Sequence, residues 1–198
     1  MEIFGVPSPA FFGQLLLGLI NGSFYAVLSL GLAVIFGLLN IINFAHGAQY
    51  MLGAFAALLG LNWLGINYWL ALLLAPAVVG AIAVLIERTM LRHLYQLDHL
   101  YGLLLTFGLA LIAEGTFKNL FGVSGESYEA PEILQGGVNL GFMFLPLYRG
   151  WVVVAALSLC ALVWYVVERT SLGATLRAAT QRPDLVQALG INVPLLVT

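Results

Sequence analysis

Charge is what this sequence has least of. Of its 198 residues only 8% are Asp, Glu, Lys or Arg, against 62% apolar. A soluble domain carries about 25% charged residues, because its surface has to face water. Seven basic and nine acidic side chains cannot cover a surface of this size, which excludes a soluble globular protein. The few charges are also unevenly spread, since Glu2 is followed by no other until Glu87. A spanning helix needs roughly 20 apolar residues, so the uncharged stretch 3–86 has room for three or four passes.

Other absences narrow the class further. Cys160 is the single cysteine, which leaves no disulfide framework and no thiolate metal centre. A net charge of −2 offers nothing to nucleic acid. No Gly-x4-Gly-Lys-Ser/Thr phosphate-binding loop occurs, so any ATP hydrolysis belongs to another chain. His93 and His99 lie six residues apart, outside the i, i+4 pairing of a helical metal site, and His46 has no carboxylate or thiol beside it. Neither a metal nor a cofactor is expected. The start has Glu2, Pro7 and Pro9 where a secretory signal peptide would have a basic region. A transmembrane barrel would alternate apolar and polar residues, whereas Trp69–Ile86 is apolar on every face.

What is present reads as helices. The first apolar run, Phe11 to about Ile42, is too long for one simple crossing and contains Asn21-Gly22-Ser23, Gly31, Gly37 and Asn40 as candidate breakers. A second run covers Gly47 to about Leu61, and a third covers Tyr68–Ile86, with Pro76 tolerated inside it. Glu87–His99 reads as the first loop, Leu100–Phe121 as a span, Gly122–Gly150 as a polar connection and Trp151–Val167 as a further span. Loop 87–99 carries two arginines and the tail 168–192 three, against one arginine and three glutamates in 122–150. The positive-inside rule therefore puts 87–99 and 168–192 in the cytoplasm. Three crossings in 11–86 would leave the N-terminus outside; two or four would leave it inside. The fold class is all-α, a polytopic transmembrane helix bundle with a cytoplasmic helix–turn–helix.

Asn40, Asn43, His46 and Gly47 form the polar interruption between the first two runs. Two amides and an imidazole are costly in hydrocarbon unless they face protein or water. They can line a pathway or switch its state from a broken helix, as in many transporters. They can equally be interhelical hydrogen bonds that hold a bundle together, or a loop at the membrane surface. Gly37, Gly47 and Gly53 would permit close packing or non-helical backbone. Glu114 and Lys118 stand in the favourable i, i+4 order, and no further ionisable groups accompany them as a proton relay would require.

The tail has a different texture. Thr170 or Ser171 can cap a helix whose apolar stripe is Leu172, Leu176 and Ala179. Gln181-Arg182-Pro183-Asp184 interrupts it, with Pro183 suited to the first turn of a second helix striped by Leu185, Val186 and Leu189 and stopped at Gly190. Such a helix pair either lies in the headgroup region or docks a soluble partner.

Gly31–Phe55, GLAVIFGLLNIINFAHGAQYMLGAF, resembles the permease subunits of bacterial branched-chain amino acid ABC importers, most specifically in INFAHG followed by MLGA. Glu87–Phe121 looks like the region that follows in that family, and Ser171–Asn192, SLGATLRAATQRPDLVQALGIN, is similar to its cytoplasmic coupling loop, though without a literal Glu-Ala-Ala. The resemblance implies one permease domain over 1–198 with the coupling loop at 171–192, in the inner membrane of a bacterium. It implies a second homologous permease subunit, two cytoplasmic ATP-binding subunits and a periplasmic substrate-binding protein that does most of the selecting. It puts Asn40, Asn43, His46 and Gly47 on a broken helix near the translocation path, and Arg177, Arg182, Asp184 and Gly190 on the surface that docks the ATPase. Transport would follow alternating access driven by ATP hydrolysis in the partner, with no enzymatic activity in this chain. The family would begin further spans where this sequence ends, which implies a C-terminally truncated copy. The alternatives are an importer of the same type for another small polar solute such as urea or a short amide, a stand-alone ion-coupled carrier, and a membrane-embedded enzyme. The last would need a paired acid and base or a metal cluster at membrane depth, and the sequence offers neither.

Overall fold

A computed structural model describes residues 2–3, 5–39, 43–94 and 97–193. Helices dominate it for the reason the composition predicts. A backbone surrounded by hydrocarbon has no water to bond, so its N–H and C=O groups must satisfy each other within the segment. Helix α1 (Ser8–Leu39) is one continuous helix of 32 residues. At 1.5 Å per residue it is about 48 Å long, well beyond a bilayer's hydrocarbon core. Asn21-Gly22-Ser23 does not break it. The buried Ser23 hydroxyl donates to the Ile20 carbonyl of its own helix at 2.6 Å and so needs no outside partner.

Helix α2 (His46–Leu64) stops at Gly65, whose φ of +62° places it in the left-handed region that favours glycine. The Gly65 and Ile66 amides close the end on the Leu61 and Gly60 carbonyls. Helix α3 (Tyr68–Ile86) is capped by the Asn67 side chain, which accepts from the Leu70 amide at 2.9 Å. It runs through Pro76 and continues as a π-helical segment, Glu87–Leu91, into the single turn α4 (Arg92–Leu94). The expected loop 87–99 is therefore helical over its first eight residues. Glu, Arg, Met and Leu are good helix formers, and charges at the end of a span reach water along their aliphatic stems. Helix α5 (His99–Phe121) starts at an Asp98 cap that accepts from the Leu100 amide at 2.9 Å. Among the described residues, four helices are long and apolar enough to cross a membrane: Ser8–Gly37, Tyr68–Leu94, His99–Phe121 and Leu147–Arg169. Within residues 11–86, α1 and α3 meet that standard, while α2, opening on His46 and carrying Gln49, falls short of it.

Contacts divide the chain into two compact units, 1–30 with 130–170 and 31–129 with 171–198. In the first, strands β1 (Glu2–Ile3) and β2 (Val6–Pro7) pair antiparallel ahead of α1. A hairpin of β3 (Gly137–Asn139) and β4 (Phe144–Pro146), with Val138 opposite Leu145, leads into helix α6 (Leu147–Arg169) and packs against it. These strands are too short to alter the all-α class. Phe12 of α1 meets Phe142 at 6.0 Å. In the second unit α2 packs along α3 and against α5, where Phe55 lies 4.4 Å from Phe117 and 4.6 Å from Phe121. Helices α7 (Ser171–Gln181) and α8 (Pro183–Ala188) also belong to it. Many leucines on the candidate spans point outward, Leu73, Leu85, Leu104 and Ile112 among the large exposed side chains. Such a surface suits lipid or further protein, not water.

The β3–β4 hairpin depends on a missing side chain. A Cβ on Gly137 would lie 2.6 Å from the Leu145 carbonyl oxygen and 2.5 Å from the Phe144 ring. Gly137→Ala should destabilise the hairpin by about 1–3 kcal/mol and speed its cleavage by added protease in membranes. Cleavage at the parent rate would mean that the close packing is wrong.

Candidate functional site

The junction between α1 and α2 is built by side chains that take over backbone bonding where the helix stops. Asn40 lies outside the described residues, so its part of the expected polar interruption is not described. From Asn43 onward each group has a place. The Asn43 carboxamide oxygen accepts the Ala45 amide at 2.9 Å, and its carbonyl accepts the His46 amide at 3.4 Å. Asparagine is suited to this, because its short side chain reaches a backbone donor two residues on. The Phe44 amide turns the other way and donates to the Thr106 hydroxyl of α5 at 3.2 Å. Thr106 is 1% exposed, and its own hydroxyl donates to the Leu103 carbonyl at 3.1 Å. The Phe44 ring meets Phe107 edge to face at 6.3 Å. Ala45 is buried.

His46 opens α2 half-buried, with its imidazole against Gly31 of α1. A Cβ at Gly31 would stand 2.6 Å from His46 Cε1 and 3.0 Å from Nε2. Close approach therefore occurs at Gly31 and not at the glycines singled out for it. Among the described residues a Cβ at Gly37 or Gly47 would meet nothing within 4 Å, and one at Gly53 would make only an ordinary 3.7 Å contact with Val79. Asn43, His46 and Gly47 thus share one turn, whose surroundings are completed by Thr106, which was not singled out, and by Gly31, which was expected only as a helix breaker. Thr106 had a signal, as the polar residue interrupting Leu103–Leu105 and Phe107. Gly31 was a candidate breaker, yet α1 runs through it, and nothing in the sequence marks its contact with His46. Chemically the described part of the junction can hold and orient, and its described residues assemble no acid–base pair.

Between α2 and α3 lies a cavity of about 330 Å³ lined by apolar residues that include Ala57, Gly60, Trp63, Ile66, Ala71 and Ala75. Among the described lining residues only Trp63 carries a polar side-chain atom, an indole N–H, and no side chain there can accept from an ammonium, so a zwitterion gains little. Glu114 and Lys118 form the expected i, i+4 pair at 2.6 Å on the exposed side of α5. Such a pair lets the two charges satisfy each other locally. On the connection after α5, burial pushes the Tyr128 phenol above its ordinary value, with Tyr68 adding to the shift.

The helix pair α7–α8 has a core of its own. Ala179, Val186 and Val193 are buried together, with Ile191 packed against them. Leu172, Leu185 and Leu189 were expected in the apolar stripes, and the structure turns them outward at 65%, 61% and 78% exposure. Small and β-branched residues fill the narrow space between two short helices, and the leucines are left at its rim. Pro183 stands in the first turn of α8, as expected. Gly190 ends it at φ +83°, its amide bonding the Gln187 carbonyl at 2.9 Å while the Ile191 amide returns to Val186 at 3.3 Å. Arg177 is half-buried and already engaged, whereas Arg182 and Asp184 are exposed. Gly190→Ala should cost about 1–2 kcal/mol, since a Cβ disfavours the left-handed conformation. Faster hydrogen exchange at the Ile191 amide would register it, and an unchanged rate would count against the Gly190 stop.

The profile of the family described as the permease component of branched-chain amino acid transport systems matches residues 14–197. The high-affinity branched-chain amino acid transport system permease protein BraD of Pseudomonas aeruginosa is 28% identical, covering 90% of this chain and 62% of its own. The corresponding LivH of Escherichia coli K12 is 25% identical over 92% of this chain and 63% of its own. The chain thus spans about three-fifths of the length of these curated relatives. No solved structure matches it significantly. With the profile running from α1 through the α1–α2 junction to the α7–α8 pair, this chain belongs to the family of branched-chain amino acid transport permeases.

Proposed function

We propose that this chain is a permease subunit of an ATP-driven importer for branched-chain or other small amino acids, residing in a bacterial inner membrane. It would pair with a second homologous permease, two cytoplasmic ATP-binding subunits and a periplasmic substrate-binding protein. The 171–192 segment would be the coupling element, and the Asn43–Gly47 turn, with Asn40 before it, would border the translocation path. Transport would proceed by alternating access, ATPase closure being felt through α7 and α8.

The observation that carries this reading is the helix pair. It is folded around Ala179, Val186 and Val193, yet leaves Leu172, Leu185 and Leu189 exposed beside Arg182 and Asp184. A pair that exists only to link spans has no use for a core. Exposed apolar side chains rimmed by charge mark a surface meant to be covered, and family membership supplies an ATPase as the natural cover. A stand-alone ion-coupled carrier has less behind it, because Glu114 and Lys118 already neutralise each other at an exposed surface.

In proteoliposomes holding the complete transporter, Arg177→Ala or Asp184→Ala should cut uptake per ATP hydrolysed by roughly tenfold or more, equivalent to losing about 1.4 kcal/mol of coupling. The amount of subunit in the membrane should not change. Normal coupling in both variants would refute the docking assignment. Leu185→Ser should also weaken co-purification with the ATPase, and uptake that persists without ATP or ATPase would sink the importer reading altogether.

A further inference from the structure

We propose that Thr106 and Gly31 are positioning residues of the transport path, which hold the Asn43–Gly47 turn from two sides. The inference rests on the reading that this turn borders the path, and it names the residues that set where the turn sits.

The first hold comes from α5. A backbone N–H at the point where a helix is interrupted has no partner in its own segment, and leaving it buried and unbonded is costly. The Phe44 amide meets this need 62 residues away, at the Thr106 hydroxyl. That hydroxyl is not free to follow the turn wherever it goes. Its own proton is committed to the Leu103 carbonyl one turn back on α5, which aims the oxygen lone pair at Phe44. With Thr106 1% exposed, water cannot substitute readily for either bond. The neighbouring Phe107 ring adds an edge-to-face contact with Phe44, so backbone and side chain of one residue are both gripped by consecutive residues of α5. A slide of α5 by one helical turn, about 5.4 Å, would unmake both contacts at once.

The second hold comes from α1. The His46 imidazole occupies the space a Gly31 side chain would take, with Cε1 2.6 Å from the would-be Cβ. The absence of one methyl group therefore decides where the imidazole rests. Between the two holds lies the turn itself, closed on Asn43. Any motion of α1, α2 or α5 that opens the path must release one of these contacts or carry the turn along.

The test uses the complete transporter in proteoliposomes, with Thr106→Val, Thr106→Ser, Gly31→Ala, His46→Ala and the Gly31→Ala/His46→Ala double variant. Thr106→Val keeps the shape and deletes the acceptor. It should raise hydrogen exchange at the Phe44 amide on the order of tenfold or more and lower kcat for uptake, with KM changed by less than about twofold. Thr106→Ser keeps the hydroxyl and should restore both. Gly31→Ala should slow uptake in the parent background and add nothing further in the His46→Ala background, because the clash it creates is gone.

Three results would overturn the proposal: unchanged Phe44 exchange in Thr106→Val, raised exchange with uptake at the parent rate, or a Gly31→Ala effect equally large without the imidazole. A parent transporter that imports nothing would instead bring down the importer reading, and the path role with it. The exchange measurement on Phe44 separates that failure from failure of the hold itself.

Discussion

The structure depends on one constraint: within hydrocarbon, every backbone N–H and C=O must find its partner inside the protein. Along α1, α3, α5 and α6 the helix itself meets the requirement, and the side chains are left to face outward as leucine, valine and phenylalanine. At the α1–α2 junction the helix cannot meet it. From Asn43 onward the bonds pass to the Asn43 carboxamide and the Thr106 hydroxyl. Among the described residues, polar side chains there take on bonds that regular helix supplies elsewhere.

The helix pair α7–α8 obeys the opposite economy. Its helices of eleven and six residues are too short to be stable alone, and they pack on one another. Ala179, Val186 and Val193 provide that packing, and Gly190 turns the chain back so that Ile191 can join. Because this small core needs no leucine, Leu172, Leu185 and Leu189 remain exposed.

Much of this was legible in the residues. The uncharged run announced a helical membrane protein, INFAHG announced the family, and Pro183 and Gly190 marked the start and stop of α8. Other signals were read too literally. Asn21-Gly22-Ser23 has the composition of a break, yet Ser23 bonds within its own helix and the helix continues. Glu87–Leu94 has the charge of a loop, yet its residues are good helix formers and α3 extends through them. In both cases composition suggested an interruption while the chain had a local way of bonding its backbone. The leucine stripes misled differently, since spacing shows which residues share a face and not which face is covered.

By itself the sequence determined what depends on local pattern and on summed composition: the solvent the chain lives in, the helical class, the family and the limits of α8. The tertiary structure alone decided the pairings across distance. That the Phe44 amide would need the hydroxyl of Thr106, that the His46 ring would need Gly31 to lack a side chain, and that the leucines of α7 and α8 would face outward are all such pairings. Periodicity repeats every few residues and so describes one helix at a time. A hydrogen bond between residues 62 apart is set by which helices lie side by side, and that is settled only when the chain packs.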